Sequence, residues 1–417
     1  MIKNIFGTFF IRCVLICLTF FSVPLLLKLF SQEQYGVWVT LTSLLSWITL
    51  FNFGIGYSLQ NSVSRSISQN NFNSAKQEFL GYLKLLSIIS IGLLIALIPT
   101  IYIVTIFRNH YKITLILFTT MIIIFPMSLG INVLQGLRKN ALQSFLSAFN
   151  NTLFFIFLSS IVYFELQISL ENLSFLFVSC AFISYALILR VSFRFLKIEH
   201  TDIINAKIPW NSCRVGLKFF SLQMSSLILY GLGNYLVYSF IGSSETARFD
   251  ILNRIFTTGI GFFGLLVSNF WPEIVYNLSE KNFGEIKKLY IYLLVNSVVF
   301  TICAFTIAQF SDIIVSFWTG NRISISPHEA SYFALLVSIQ SFAYSGAVIL
   351  NAYEHINSQI VLSLTSAMFL VPLSILFIRH GFGVSTIPFV ASLLTLPALI
   401  YCNIKAYSLI SNERCYA

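Results

Sequence analysis

Charge is scarce in this chain: Asp, Glu, Lys and Arg together make up 10% of its 417 residues, against about 25% in an ordinary soluble domain. With 57% of the residues apolar, a water-soluble fold of this length has nowhere to hide its apolar surface, so lipid must act as its solvent. Long polar segments are also missing. The largest, near 196–216 and 311–330, run to about twenty residues, too short for a domain of their own. No G-x-x-x-x-G-K-[ST] phosphate loop occurs, which excludes ATP hydrolysis by that machinery, and no H-E-x-x-H zinc motif occurs. A membrane enzyme that builds or joins sugars needs a substantial loop on which acids or histidines converge, and none is visible. The seven cysteines (Cys13, Cys17, Cys180, Cys213, Cys303, Cys402, Cys415) are scattered, odd in number and mostly within apolar runs. Without a neighbouring His they read as small buried residues, so neither a metal nor another cofactor is expected.

What the chain does have is apolar length. A helix needs roughly 20 apolar residues to cross the hydrocarbon, and runs of that length fall near 9–29, 36–58, 82–106, 113–135, 142–164 and 173–195. A second six follow near 217–241, 251–271, 288–310, 331–351, 359–379 and 385–407. The run after Lys3 is too long for a signal-peptide core and no small-x-small site follows it, so it reads as the first span. The expected fold is an all-α polytopic membrane protein of about twelve transmembrane helices, in two pseudo-symmetric six-helix bundles around a central cavity. The bundles are expected at 1–200 and 217–417, joined by a cytoplasmic linker at 201–216.

The net charge of +10 invites a nucleic-acid reading, but no basic soluble segment exists to carry one. Loop asymmetry explains it better, because cytoplasmic loops of multi-span proteins are rich in Lys and Arg. With the N-terminus inside, the inner segments hold Lys3, Arg65, Lys76, Lys84, the pair Arg138–Lys139, six cations between Arg190 and Lys218, three between Lys281 and Lys288, and Lys405 and Arg414. The outer side holds Lys28, Arg108, Lys112, Arg248, Arg322 and Arg379. The imbalance places both termini in the cytoplasm of an inner-membrane, multi-pass protein.

The two halves share short polar signatures. SQNNFNSAKQ (Ser68 to Gln77) and SEKNFGEIKK (Ser279 to Lys288) lie 211 residues apart, and SQEQYG (Ser31 to Gly36) matches SSETAR (Ser243 to Arg248) at that offset, give or take one. An even number of spans per half makes these parallel repeats, related by an axis along the membrane normal.

The stretch from Leu29 to Arg65 carries an E-x-Y-G-x-W start (Glu33, Tyr35, Gly36, Trp38), then Phe53, Gly54, Gly56 and Arg65, followed by N-F-x-x-A-K (Asn71, Phe72, Ala75, Lys76). In this it resembles the second-span region of the lipid-linked oligosaccharide flippases, the O-antigen and polysaccharide transporters of the multidrug/oligosaccharidyl-lipid/polysaccharide exporter superfamily. The local motif covers under a tenth of the chain; the twelve-span plan covers all of it. Relatives often carry an Asp just before the first of those glycines, where this chain has Asn52 and Phe53, so a coupling carboxylate there is not carried over. Gly54 and Gly56 have a physical reading of their own, because small residues let helices approach closely or end.

The resemblance implies a substrate of undecaprenyl pyrophosphate bearing a short oligosaccharide, moved by alternating access, with membrane lipid around it and a polysaccharide polymerase as a partner acting on the product. Cations within spans cost roughly 2.5–3.5 kcal/mol on insertion scales and usually face a cavity or a partner. Arg254, Arg12, Lys28 and Arg248 are the candidate substrate-binding cations, with Arg254 foremost. Its rival reading is an i,i+4 pair with Asp250, that of Arg12 is snorkelling, and Lys28 and Arg248 also suit interfacial anchors. Asp250 is the ion-pair or coupling candidate, although ion-gradient coupling is not marked in the sequence. A small-molecule or drug antiporter of the same superfamily and a membrane-embedded glycan polymerase stay open as alternatives.

Overall fold

The computed structural model describes residues 2–53, 55–68, 72–137, 139–199, 224–353 and 357–412, together with Asp202, Ile208, Phe220 and His355. Among these residues the chain is helical and contains no strand. It divides into two compact units, Met1–Gln223 and Met224–Ala417. Nine of the described helices are long and apolar enough to cross a membrane. The described residues of the three other expected spans are helical for the most part, but shorter in apolar length or interrupted.

In the first unit, α1 (Ile2–Leu29) is followed by Ser31, which opens α2 (Gln32–Leu45) with a capping box. The Ser31 hydroxyl accepts from the Gln34 amide at 3.2 Å, and the Gln34 side chain accepts from the Ser31 amide at 3.1 Å. Two helix-end donors are thereby satisfied together. This fixes the E-x-Y-G-x-W segment one turn into α2, where Tyr35, Gly36 and Trp38 are buried. The Trp38 ring lies 5.5 Å from Phe177 and 6.3 Å from Phe154, centroid to centroid.

The expected span at 36–58 is not one helix. A 3-10 turn runs from Ser46 to Asn52, and Phe53 takes a left-handed backbone at φ +47. A bulky residue there is strained and cannot continue a right-handed helix. The chain restarts as α3 (Ile55–Ser68). Next, α4 (Phe72–Ile103) begins well before the expected boundary at 82 and passes unbroken through Pro99. Its Ile88, Ile91, Ile95 and Ile98 lie exposed on one face at helical spacing, a stripe that lipid would cover. α5 (Tyr111–Gly136) contains a π turn at Leu115–Thr119 and a 3-10 turn at Phe125–Ser128 where Pro126 sits, the local adjustments that let a span carry a proline. α6 (Asn140–Tyr163) and α7 (Leu170–Leu196) complete the unit, and α1 packs against α6.

The second unit opens with a helix over 224–231 that breaks at Leu232 before α8 (Gly233–Phe240). The expected 217–241 span is therefore interrupted, and its first residues lie outside the described ones. α9 (Ser243–Ser279) and α10 (Phe283–Gln309) follow. α11 (Pro327–Ala352) starts from a second capping box, Ser326 with Glu329, and has Pro327 in its first turn, where a missing N–H is harmless. α12 (Asn357–Arg379) and α13 (Thr386–Asn412) end the chain's described part. α11 is the centre of this unit, packed against α9, α10 and α13. Its Ser341, Ser345 and Ile349 are fully buried, and Ser345 meets Ser297 of α10 at 3.0 Å.

Helix starts repeat between the halves. α2 and α9 begin at Gln32 and Ser243, and α4 and α10 begin at Phe72 and Phe283, in both cases 211 residues apart. The Asn-Phe signature recognised in the sequence therefore marks a helix start in each half.

Candidate functional site

Among the described residues, a pronounced charge centre within a span lies in the second unit, on the first turns of α9. Asp250 is buried, with its side chain 6% exposed, and its Oδ2 accepts from Arg254 Nε at 2.5 Å. From the preceding helix, α8, the Asn234 carboxamide donates to Asp250 Oδ1 at 3.1 Å. The i,i+4 spacing brings the two charges onto one stripe of α9, and the approach of α8 supplies the extra donor a buried carboxylate requires. The Arg254 side chain remains 35% exposed, so the cation is anchored to Asp250 and stays partly accessible.

Arg248, half a turn before Asp250, is differently placed. Its guanidinium donates to Glu245 at 2.9 Å and to Glu329 at 2.7 Å. Glu329 is also the capping-box residue of α11 and accepts from the Ser326 amide at 3.2 Å. Arg248 thus joins the first turn of α9 to the first turn of α11, and two carboxylates already match its charge. Lys28 lies exposed in the last turn of α1. Arg12 belongs to α1, but its side chain lies outside the described residues, as does Gly54. Gly56 is buried on α3, and a Cβ there would stand 2.8 Å from the Asn132 side chain of α5; the position suits close helix packing.

A cavity of about 140 Å³ opens beside this centre, on the neighbouring stripe of α9. Phe249, Asn253, Phe256, Thr257 and Ile260 contribute from α9 at helical spacing, while Asp250 and Arg254 do not line it. Charge-based sequence reasoning passed over this place. The available signal was Gln340, a carboxamide in the middle of an apolar run, which a span tolerates only with a purpose or a partner. Asn234 was missed for a related reason: its role comes from facing Asp250, and no spacing along the chain reveals that.

On the polar side of the first unit, Lys76 near the start of α4 pairs with Asp202 at 3.3 Å. Asp202 also accepts from the Glu199 backbone amide at 2.9 Å, and this bond first, then Lys76, holds its carboxyl below the ordinary value of 3.8.

No protein-family profile matches the chain. Over 53 residues, 13% of this chain and 12% of the relative's length, it is 43% identical to a Yersinia pseudotuberculosis protein provisionally named an O-antigen export protein. Among solved structures, it is similar to an inward-facing multidrug resistance MATE family transporter of the MOP superfamily. That similarity has a TM-score of 0.74 at 13% identity and covers 96% of this chain and 95% of that one. A MOP superfamily transporter from Pyrococcus furiosus Vc1 is also similar, with a TM-score of 0.65 at 14% identity over 99% of this chain and 95% of that one. The chain therefore has the MATE fold, an all-α polytopic membrane fold found in transporters, as its resemblance to the exporter superfamily implied.

Proposed function

We propose that this chain translocates undecaprenyl-pyrophosphate-linked oligosaccharide repeat units across the bacterial inner membrane by alternating access, for O-antigen and surface-polysaccharide assembly. The observation that carries the reading is a transporter fold extending over 96% of the chain. A 53-residue stretch, 43% identical to a protein named for O-antigen export, supports a glycan cargo. In this proposal the residues 1–200 and 217–417 act as two six-helix bundles joined by a linker at 201–216, with both termini cytoplasmic. The translocated unit is then handed to a polymerase outside.

The substrate brings a dianionic headgroup, a polar glycan and a long lipid tail. Arg254 is the cation best suited to the pyrophosphate. It is paired with Asp250 and about a third of its side chain is accessible. A planar guanidinium suits phosphate oxygens in geometry and charge. Arg12 and Lys28 are further cations for the headgroup, and Arg248 holds the start of α9 in place through Glu245 and Glu329. Asp250 positions Arg254 and is the group through which an ion gradient would act.

The test is deletion and complementation in a host that displays a surface glycan. Cells without the gene should accumulate lipid-linked repeat units on the cytoplasmic side, and the wild-type chain should restore the glycan. Unchanged surface glycan in the deletion would sink the reading. The fold is shared with multidrug transporters, so a small-molecule antiporter is the second reading. It requires the deletion to raise sensitivity to lipophilic cations while surface glycan stays intact.

A further inference from the structure

The cavity beside α9 lies wholly within the second unit, with walls from the helix preceding α8 and from α8, α9, α11 and α13. Among the described residues its lining contains no charged side chain. A pyrophosphate would be desolvated there without a counter-charge, which the energetics of buried ions forbid. One wall is aromatic: Phe333 lies 5.3 Å from Phe249 and 6.0 Å from Phe256, centroid to centroid. Opposite in chemistry are the carboxamides of Gln340 and Asn253 and the hydroxyls of Tyr230 and Tyr344.

Gln340 is the telling residue. It is 4% exposed and lines the cavity. A carboxamide in hydrocarbon-like surroundings needs hydrogen-bond partners, and the cavity is where water or a ligand can supply them. About 140 Å³ is close to the size that admits one benzene-sized body. Aromatic faces with a few convergent neutral polar groups are the arrangement that fits small amphipathic rings.

Resting on the flippase reading, we propose that this cavity is a subsite for one uncharged sugar ring of the glycan. The apolar face of the ring lies against the Phe249, Phe256 and Phe333 wall, and its hydroxyl or acetamido groups bond to Gln340 and Asn253. It would sit apart from the Asp250–Arg254 centre, one helical stripe away, so that headgroup and glycan are read by different faces of α9. The remaining sugars lie outside it, since the volume holds no more than one ring. Sugars with an apolar substituent, such as a 6-deoxy or acetamido group, fit its largely apolar walls best.

Saturation-transfer NMR on the full purified chain in lipid nanodiscs tests this, with methyl N-acetylglucosaminide as the neutral probe, methyl glucuronide as the acidic one and toluene as the apolar one. The neutral glycoside should receive saturation, and the glucuronide about tenfold less. Gln340→Leu should weaken the neutral probe roughly five- to tenfold, the effect of one lost buried hydrogen bond. Ala391→Phe, which fills the cavity from α13 without touching the amide, should weaken it as much. Asn296→Leu, on the exposed face of α10, should leave it unchanged. Equal transfer in wild type and both cavity variants would overturn the proposal, as would equal transfer to the two glycosides or a signal from toluene alone. Binding is read here without translocation. Failed complementation alongside a positive binding signal would refute the flippase reading alone, and intact export without binding would refute the subsite alone.

Discussion

Arg254→Gln should separate what Arg254 does for the fold from what it does for a substrate. The substitution removes the 2.5 Å bond to Asp250, the contact that matches the charge of that buried carboxylate, and keeps the Asn234 amide at 3.1 Å. Removing one partner of a buried pair costs about 3–5 kcal/mol. Because a third of Arg254 is exposed, the lower figure applies, about 3 kcal/mol. For a unit of this size each kcal/mol moves Tm by roughly 2–4 °C, so the melting point of the second unit should fall by about 6–12 °C. The double variant Asp250→Asn, Arg254→Gln replaces the pair with two neutral carboxamides beside Asn234. It should recover all but about 1 kcal/mol, since the uncompensated charge has gone. Intrinsic fluorescence during thermal unfolding in detergent measures both values, and surface-glycan complementation measures transport. The expected pattern is a destabilised, inactive single variant and a stable, inactive double variant. A single variant as stable as the double would refute the buried-pair reasoning, and a double variant that transports normally would remove Arg254 from substrate binding.

Three further outcomes follow from other contacts. Gly346→Val should prevent α11 and α13 from seating, since a Cβ there would stand 2.8 Å from the Cys402 backbone carbon; wild-type yield and melting would contradict this. Arg248→Met should lower Tm by several degrees by leaving Glu245 and Glu329 without their shared cation, and Glu245→Gln with Glu329→Gln in the same chain should restore most of the loss. His110, half-buried between α4 and α5, is held below 6.5 by burial. The folded chain therefore resists its protonation, so this contribution to stability is complete above about pH 6.5 and declines as pH falls below it. Melting curves of His110→Asn between pH 7.5 and 5 should show a flatter pH dependence than wild type, and parallel curves would exclude the effect.

The spans were legible because their cause is local. Twenty apolar residues between polar breaks have few alternatives in a membrane, and the helices at Asn140–Tyr163, Leu170–Leu196 and Asn357–Arg379 stand close to where the runs placed them. The polar signatures also mark helix starts: the helices at Phe72 and Phe283 begin 211 residues apart, directly after the Asn of each signature in the sequence. Interruptions within spans were not legible. Nothing in the hydropathy of Ser46–Asn52 separates a 3-10 turn from a helix, and the left-handed Phe53 depends on packing that a sequence window does not contain. Gly54 and Gly56 marked the neighbourhood of the break without saying on which residue the chain would turn.

The site divides along the same line. The Asp250–Arg254 pair could be read directly, because i,i+4 spacing fixes it within one helix. Sequence alone left two roles for Arg254; the structure shows the pair with Asp250 and leaves about a third of the side chain accessible, and a role toward substrate belongs to the proposal. Asn234 and Gln340 carry no charge, and each matters through other helices, α9 for one and a cavity walled by five helices for the other. Searching spans for ionisable groups therefore finds where a headgroup would be held and passes over where a neutral sugar would rest. On the proposed reading, with a mostly uncharged glycan as cargo, the carboxamides inside the helices are the more informative residues, and Gln340→Leu probes the cargo more directly than removing any cation.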